Sequence, residues 1–286
     1  MFTENALAEA DLCFGHGYAD AHDEAVALVL GAAELDPFTG TEILDRPVTA
    51  AICDQVEEFL QRRIGERVPT AYILGYAALG NLFFRCDPRA LVPRSPLHAI
   101  IDQGYQPWYP LGTPGRIVDV CCGGGSLGLL AAAACPESEV LLLDLDSAAL
   151  SLAEENRVGL NIANAMCLQT DLLDAVDSAS VDVLLANPPY VDGADMADLP
   201  LEYFHEPRVA LEAGPDGLDL VHRLLREAAR VLSPGGVLFL EVGNSAPALE
   251  ESYPNLPITW LDLPFGGHGV GVLSRNELDD QALRRR

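Results

Sequence analysis

Apolar and polar residues change their period along this chain, and each change marks a different kind of element. Over residues 1–68 the period is helical. Between Val48 and Arg67 the apolar positions Ile52, Val56, Phe59, Leu60 and Ile64 are spaced by four, three, one and four, which lays them along one helical stripe. Glu57, Glu58, Arg62 and Arg63 fall off that stripe. Residues 69–92 lose the helical period. Leu82-Phe83-Phe84 follows the turn dipeptide Gly80-Asn81, which predicts a hairpin. Pro93, Pro96, Pro107, Pro110 and Pro114 then punctuate a connector over 93–115. The expected organisation is therefore an N-terminal helical domain with a hairpin over 1–92, that connector, and a second domain over 116–286.

From Arg116 onward, strand and helix patterns alternate. Strands are predicted at Ile117–Cys121, Val140–Leu143, Cys167–Thr170, Val181–Ala186 and Val237–Val242. Helices are predicted over Ser126–Cys135, from a cap at Asp146 or Ser147 to about Val158, and over Leu218–Leu232, ending at Ser233-Pro234-Gly235-Gly236. Two last strands, around Ile258–Leu263 and Gly269–Leu273, are joined by a Gly-rich turn and expected to pair antiparallel. Alternating strands and helices imply an α/β fold whose parallel sheet is covered on both faces.

Composition narrows the partners. The chain has 286 residues and a formal charge of −26, and all 17 of its basic residues are Arg. That balance argues against a binder that works by neutralising phosphates, since each such contact needs an exposed cation. Small molecules or basic proteins are the expected partners, although general surface acidity of a salt-adapted kind reads the same way. The seven cysteines include no CxxC pair, so neither a disulfide framework nor a zinc site is signalled. The first residues lack a signal-peptide pattern, and the most apolar stretch, Ile117 to Cys135, is broken by Asp119 and a glycine run. The expectation is a cytoplasmic protein without a membrane span.

The stretch Asp119-Val120-Cys121-Cys122-Gly123-Gly124-Gly125-Ser126-Leu127-Gly128 joins the first strand of the sheet to its first helix. Glycines there permit the turn and let a ligand approach the backbone and the helix N-terminus. Asp144 ends the next strand 21 residues after Gly123, where a carboxylate can accept ribose hydroxyls. Gly123, Gly125 and Gly128 also satisfy the dinucleotide spacing G-x-G-x-x-G, so an NAD-dependent oxidoreductase is a rival. Asp119 opposes it. A carboxylate ahead of the loop repels a pyrophosphate and welcomes a cationic sulfonium and amino acid.

Asn187-Pro188-Pro189-Tyr190 follows the strand Val181–Ala186 and so belongs at the carboxyl edge of the sheet. The prolines fix φ and leave carbonyls without a neighbouring N–H. An Asn side-chain oxygen and a proline carbonyl can together accept both hydrogens of a planar –NH2 group, whose delocalised lone pair is otherwise a poor nucleophile. Tyr190 can pack against the flat amide or base.

Together these residues resemble class I S-adenosylmethionine-dependent methyltransferases that modify planar amino groups. Within them the chain resembles the N(5)-glutamine methyltransferases of the HemK type, and among these the branch acting on a glutamine of large ribosomal subunit protein 3. The resemblance covers nearly the whole chain. It includes Gly15-His16-Gly17, Glu24-Ala25-Val26, Arg67 to Tyr72, Leu91 to Pro96, Asn187 to Asp192, His205-Glu206-Pro207, Asp216-Gly217-Leu218 and Glu241-Val242-Gly243-Asn244-Ser245. It implies a Rossmann-like, mostly parallel seven-stranded sheet with an antiparallel last strand, and an N-terminal helical domain that helps grip the protein substrate. It also implies that Asp119, Cys121, Cys122, Gly123, Gly124, Gly125 and Asp144 hold the methionine and ribose parts of S-adenosylmethionine. Asp171 and Leu172 match its adenine-contacting position, and Asn187, Pro188, Pro189 and Tyr190 would hold the substrate glutamine, with Asn187 also near the cofactor. Cys122 stands where this branch usually has Thr. The release-factor branch differs after its Pro-Arg pair and after the Glu-Val-Gly strand.

Other features stay open. Asp192, Asp195, Asp198, Glu202, Glu206, Glu212, Asp216 and Asp219 face one Arg, Arg208, between Val191 and Asp219. This segment either steers a basic protein by complementarity or shares the general acidity of the chain. It counts against DNA or RNA amino-methyltransferases, which use the same chemistry on a flipped base within a cationic surface. His16 and His22 lack a third metal ligand, and methyl transfer needs no metal. His205 and His268 are expected in loops near the active face, and Glu241 either orients substrate or loop or anchors the core. A monomer is expected.

Overall fold

A computed structural model describes residues 1–37, 40, 43, 46–264, 267–279 and 281–285. The N-terminal part holds α1 (Phe2–Glu9), α2 (Ala21–Ala32), α3 (Ala50–Leu60) and the short α4 (Thr70–Leu74). Leu7, Ala25, Leu28, Val56, Leu60 and Ile73 form its small core, with Ile52, Phe59 and Ile64 packed against it. The predicted stripe is thus the buried one. Asp20 caps α2 by accepting from the His22 and Asp23 N–H groups, and Thr49 caps α3. After Leu60 the chain winds as a π-turn over Gln61–Gly65. The wider turn breaks the α-helical spacing, and Arg63, which that spacing puts off the apolar stripe, points inward and is 1% exposed. The hairpin forms as predicted: β1 (Tyr76–Leu79) pairs antiparallel with β2 (Leu82–Arg85) across Gly80-Asn81.

The rest of the chain builds a seven-stranded sheet from β3 (Arg116–Val120), β4 (Glu139–Asp144), β5 (Ala165–Gln169), β6 (Val181–Ala186), β7 (Leu232–Glu241), β8 (Thr259–Trp260) and β9 (Val270–Ser274), in the order β5-β4-β3-β6-β7-β9-β8. Neighbours from β5 to β7 are parallel, and β9, the last strand in sequence, runs antiparallel between β7 and β8. This is the predicted sheet, with two local differences. Val237–Val242 starts earlier, because Leu232 already pairs with Val181 and the Pro234-Gly235-Gly236 stretch bulges before pairing resumes at Val183↔Val237. The segment predicted as Ile258–Leu263 pairs only at Thr259 and Trp260. The Gly-rich turn beyond it falls partly outside the described residues, at 265 and 266.

Alternation along the strands feeds two cores. In β3, Ile117 packs on one side of the sheet and Val118 and Val120 on the other. The first side is covered by α6 (Ser126–Ala134), α7 (Ser147–Gly159), the hairpin and the 93–115 stretch. That stretch carries α5 (His98–Asp102) and places Leu97, Ile100, Ile101, Tyr105 and Tyr109 in the core. The second side is covered by α9 (Asp219–Val231) and α10 (Ala246–Ser252); the short α8 (Gly193–Ala197) follows β6 in the chain. No helix among the described residues is long and apolar enough to cross a membrane.

Candidate active site

The carboxyl ends of β3, β4 and β6 open into one cavity of about 680 Å³. Its position follows from the sheet order. β3 is the strand at which the order reverses, with β4 on one side and β6 on the other, and a crevice forms where the connections diverge. Asp119, Cys121, Cys122, Gly123, Gly124, Asp144, Asp171, Leu172, Asn187, Pro188, Pro189 and Tyr190 all line it. Gly125 does not. It is the N-cap of α6 at φ +81°, and a Cβ there would lie 3.0 Å from the Ala153 Cβ, so it makes the turn and the close helix packing rather than the wall.

Each acidic group is aimed by the backbone. Asp144 ends β4, where its Oδ2 accepts from the Gly123 N–H at 2.8 Å and its Oδ1 from Asp146 N–H at 2.9 Å. Burial holds the Asp144 carboxyl above the ordinary carboxylate range, with those two N–H donors offsetting only part of the rise. Asp119 lies on the sheet side that faces α6 and is 1% exposed, with its Oδ2 accepting from the Gly128 N–H at 2.8 Å. Burial pushes it up to about 7, the Gly128 N–H opposes this, and Asp144 adds to it. The Cys121 and Cys122 thiols are pushed up by burial, which keeps them protonated and inert. Asp171 is ion-paired with Arg223 of α9 at 3.0 Å, while Leu172 is buried against the cavity.

Across the cavity, Asn187-Pro188-Pro189-Tyr190 leaves β6, which pairs directly with β3. Tyr190 donates its hydroxyl hydrogen to Glu241 at 3.0 Å, and its carbonyl accepts from the Ser245 hydroxyl at 2.7 Å. Burial and the Glu241 carboxylate push the Tyr190 hydroxyl up. The arrangement sets a glycine loop with aligned carboxylates beside the Asn187–Tyr190 motif.

The family model of the methyltransferase small domain matches residues 109–215. The ribosomal protein uL3 glutamine methyltransferase of Bordetella pertussis is 40% identical to this chain, over 97% of it and 94% of that protein. Those of Xanthomonas campestris and Neisseria gonorrhoeae are 38% and 36% identical, over 96% and 97% of this chain and 90% and 93% of theirs. The chain belongs to the uL3 glutamine methyltransferase family. A solved methyltransferase from Pyrococcus furiosus superposes with a TM-score of 0.49 at 17% identity, over 69% of this chain and 91% of that one.

This family member brings to the cavity several residues to which sequence reasoning assigned no place in the site, although Arg94, Ser95 and Tyr203 lie in blocks that carry the resemblance. Arg94 and Ser95 come from the connector, and Tyr203 and Val209 from the segment after the amide-accepting motif. The Leu91–Pro96 block was visible as a resemblance, but nothing in its spacing told that it folds over the sheet edge. Two of the acidic residues read as a possible steering surface have another role. Glu202 is buried and accepts from Arg63 at 3.0 Å, and Arg63 also holds Glu24 at 2.8 Å. Glu206 is buried, accepts from the Val92 N–H and from both terminal nitrogens of Arg94, and lies 3.4 Å from His16. Burial pushes the Glu206 carboxyl up, but Arg94 and His16 outweigh it and hold it at about 2. His22 is exposed beside Glu4, well apart in role from buried His16. Among the described residues no group of His, Cys, Asp and Glu is arranged to hold a metal. His268 lines the cavity and contacts Asn244 at 2.5 Å. His205, expected at the active face, instead meets the Glu66 carbonyl of the N-terminal part at 2.9 Å.

Proposed function

We propose that the chain transfers a methyl group from S-adenosylmethionine to the side-chain amide nitrogen of a glutamine in ribosomal protein uL3. The observation that carries this reading is the meeting, in one cavity, of the Asn187–Tyr190 motif with the glycine loop and Asp144, on neighbouring strands. Family membership supplies the substrate class.

The donor set suits the cofactor. Asp144 is fixed by two backbone N–H groups, which leaves its remaining lone pairs for a ribose diol. Asp119, whose buried carboxyl ionises more readily beside a cation, suits a cationic amino acid and sulfonium, and Leu172 offers an apolar wall to a purine. S-adenosylmethionine, when bound, supplies an electrophilic methyl group. The protein's part is to orient the amide. The Asn187 side-chain oxygen and the Pro188 carbonyl accept its two N–H hydrogens, which polarises the nitrogen and fixes its plane. Tyr190 packs against that plane, and the amide proton leaves after transfer, so no general base is assigned. In this reading the N-terminal helical part grips the protein substrate. The overall charge of −26 favours a basic protein over nucleic acid.

Labelled cofactor offered separately with ribosomal proteins, release factor, DNA and RNA tests the reading. Label on uL3 is expected, and label on nucleic acid alone would overturn it.

A further inference from the structure

Tyr190 is held from several sides by residues that follow one another at the end of β7. Glu241, the last residue of that strand, is 6% exposed and accepts two hydroxyl hydrogens, one on each oxygen. Tyr190 donates to Oε1 at 3.0 Å and Ser95 of the connector donates to Oε2 at 2.5 Å. Two residues on, Gly243 at φ +47° lies under the Tyr190 ring, where any Cβ would come within 2.6 Å of Cε2. Two further on, the Ser245 hydroxyl donates to the Tyr190 carbonyl at 2.7 Å. The carboxylate, the bare backbone and the hydroxyl recur at i, i+2 and i+4, and each meets a different part of one residue.

Resting on the reading that Asn187–Tyr190 presents the glutamine amide, we infer that Glu241–Ser245 is a cradle for Tyr190, with Glu241 the positioning residue that fixes the amide-holding motif and ties it to Ser95 of the connector. Burying a carboxylate between two hydroxyls is costly unless both donate to it. Here both do, so the ring is locked in direction as well as in place. The neighbouring prolines cannot relay a backbone hydrogen bond, and the end of the motif depends on contacts from outside itself.

The test is a cycle of Glu241→Gln, Tyr190→Phe and the double variant, with Ser95→Ala as a milder removal of one donor. Gln keeps the shape and one acceptor oxygen, and circular dichroism with calorimetric titration of S-adenosylmethionine establishes that each variant folds and binds cofactor. Glu241→Gln is expected to lower kcat by about tenfold with cofactor affinity kept, and to add less than about twofold in the Tyr190→Phe background, because groups acting through one contact are not additive. Ser95→Ala is expected to lower kcat in the same sense by a smaller factor. An equal loss from Glu241→Gln in both backgrounds, or unchanged kcat in Glu241→Gln and Ser95→Ala, would overturn the cradle. Asn187→Ala, measured alongside, separates the two readings: loss of transfer there with normal Glu241→Gln turnover rejects only the cradle, whereas normal Asn187→Ala turnover rejects the role of the motif.

Discussion

Single residues in the cavity carry separable tasks, and substitutions should separate them. Under the proposed function Asn187→Ala removes one of two acceptors for the amide and is expected to lower kcat by roughly 100- to 1,000-fold, the range for a lost preorganised partner, with cofactor binding kept by calorimetry. Asp144→Ala removes a charged acceptor held by Gly123 and Asp146. It should weaken cofactor affinity by roughly 10- to 100-fold, since hydrogen bonds to charged groups are worth about 1.5–3 kcal/mol. Asp119 makes a pH prediction. Its folded value of about 7 lies above the ordinary carboxylate value, so the native state binds more protons than the unfolded chain between roughly pH 4 and 7. Its contribution to stability is therefore present at low pH and lost as pH rises through about 7. Asp119→Asn keeps an acceptor for the Gly128 N–H and should raise Tm relative to the parent at pH 8 more than at pH 5; a constant difference between the two would remove that account. The placement of Asp119, Asp144 and Asn187–Tyr190 on the cavity was legible in the sequence because local chain geometry sets it, each lying at or next to the carboxyl end of a strand. Ser95 was not, since its role comes from a contact with Glu241, 146 residues away.

At the scale of elements, the apolar spacings locate the helices and strands, and they miss where polar residues must hold two elements together. Arg63 illustrates the physical reason. A π-turn rotates it inward, and three partners on distant stretches, Glu24, Glu202 and the Cys13 carbonyl, satisfy its guanidinium. Neither the turn nor the partners leave a mark on the spacing of apolar residues. Arg63→Met should lower stability by roughly 3–5 kcal/mol, because it leaves Glu24 buried without its cation and Glu202 with only Arg67, at 3.5 Å. Denaturant unfolding measures it, and a change under about 1 kcal/mol would mean that water replaces the lost partner. The bulge before Val237 was hidden for a similar reason: Ser233-Pro234-Gly235-Gly236 has the composition of a loop, yet Leu232 ahead of it already pairs with β6.

For the whole molecule, 43 acidic residues set against 17 arginines create self-repulsion that screening relieves. Salt raised from about 0.05 to 1 M shortens the Debye length to about 3 Å, and Tm by calorimetry is expected to rise over that range. The same salt should slow association with a basic protein substrate, seen as a falling on-rate with a smaller change in off-rate. Together the two responses distinguish a field that serves recognition from one that only burdens the fold.

The buried arginine pairs also bear on how such an enzyme could be recombined. Arg63 is supplied by the helical part and Glu202 by the segment just beyond the amide-accepting motif, so the two stretches are complementary halves of one lock. A chimera that takes residues 1–92 from a relative with a different target inherits the key without the keyhole. It should express poorly unless residues 199–207 travel with the graft, and recovery of soluble chimera on adding that short segment is the result to look for. The helical part and residues 199–207 are then a matched pair of distant segments, and an exchange that keeps the fold has to move both.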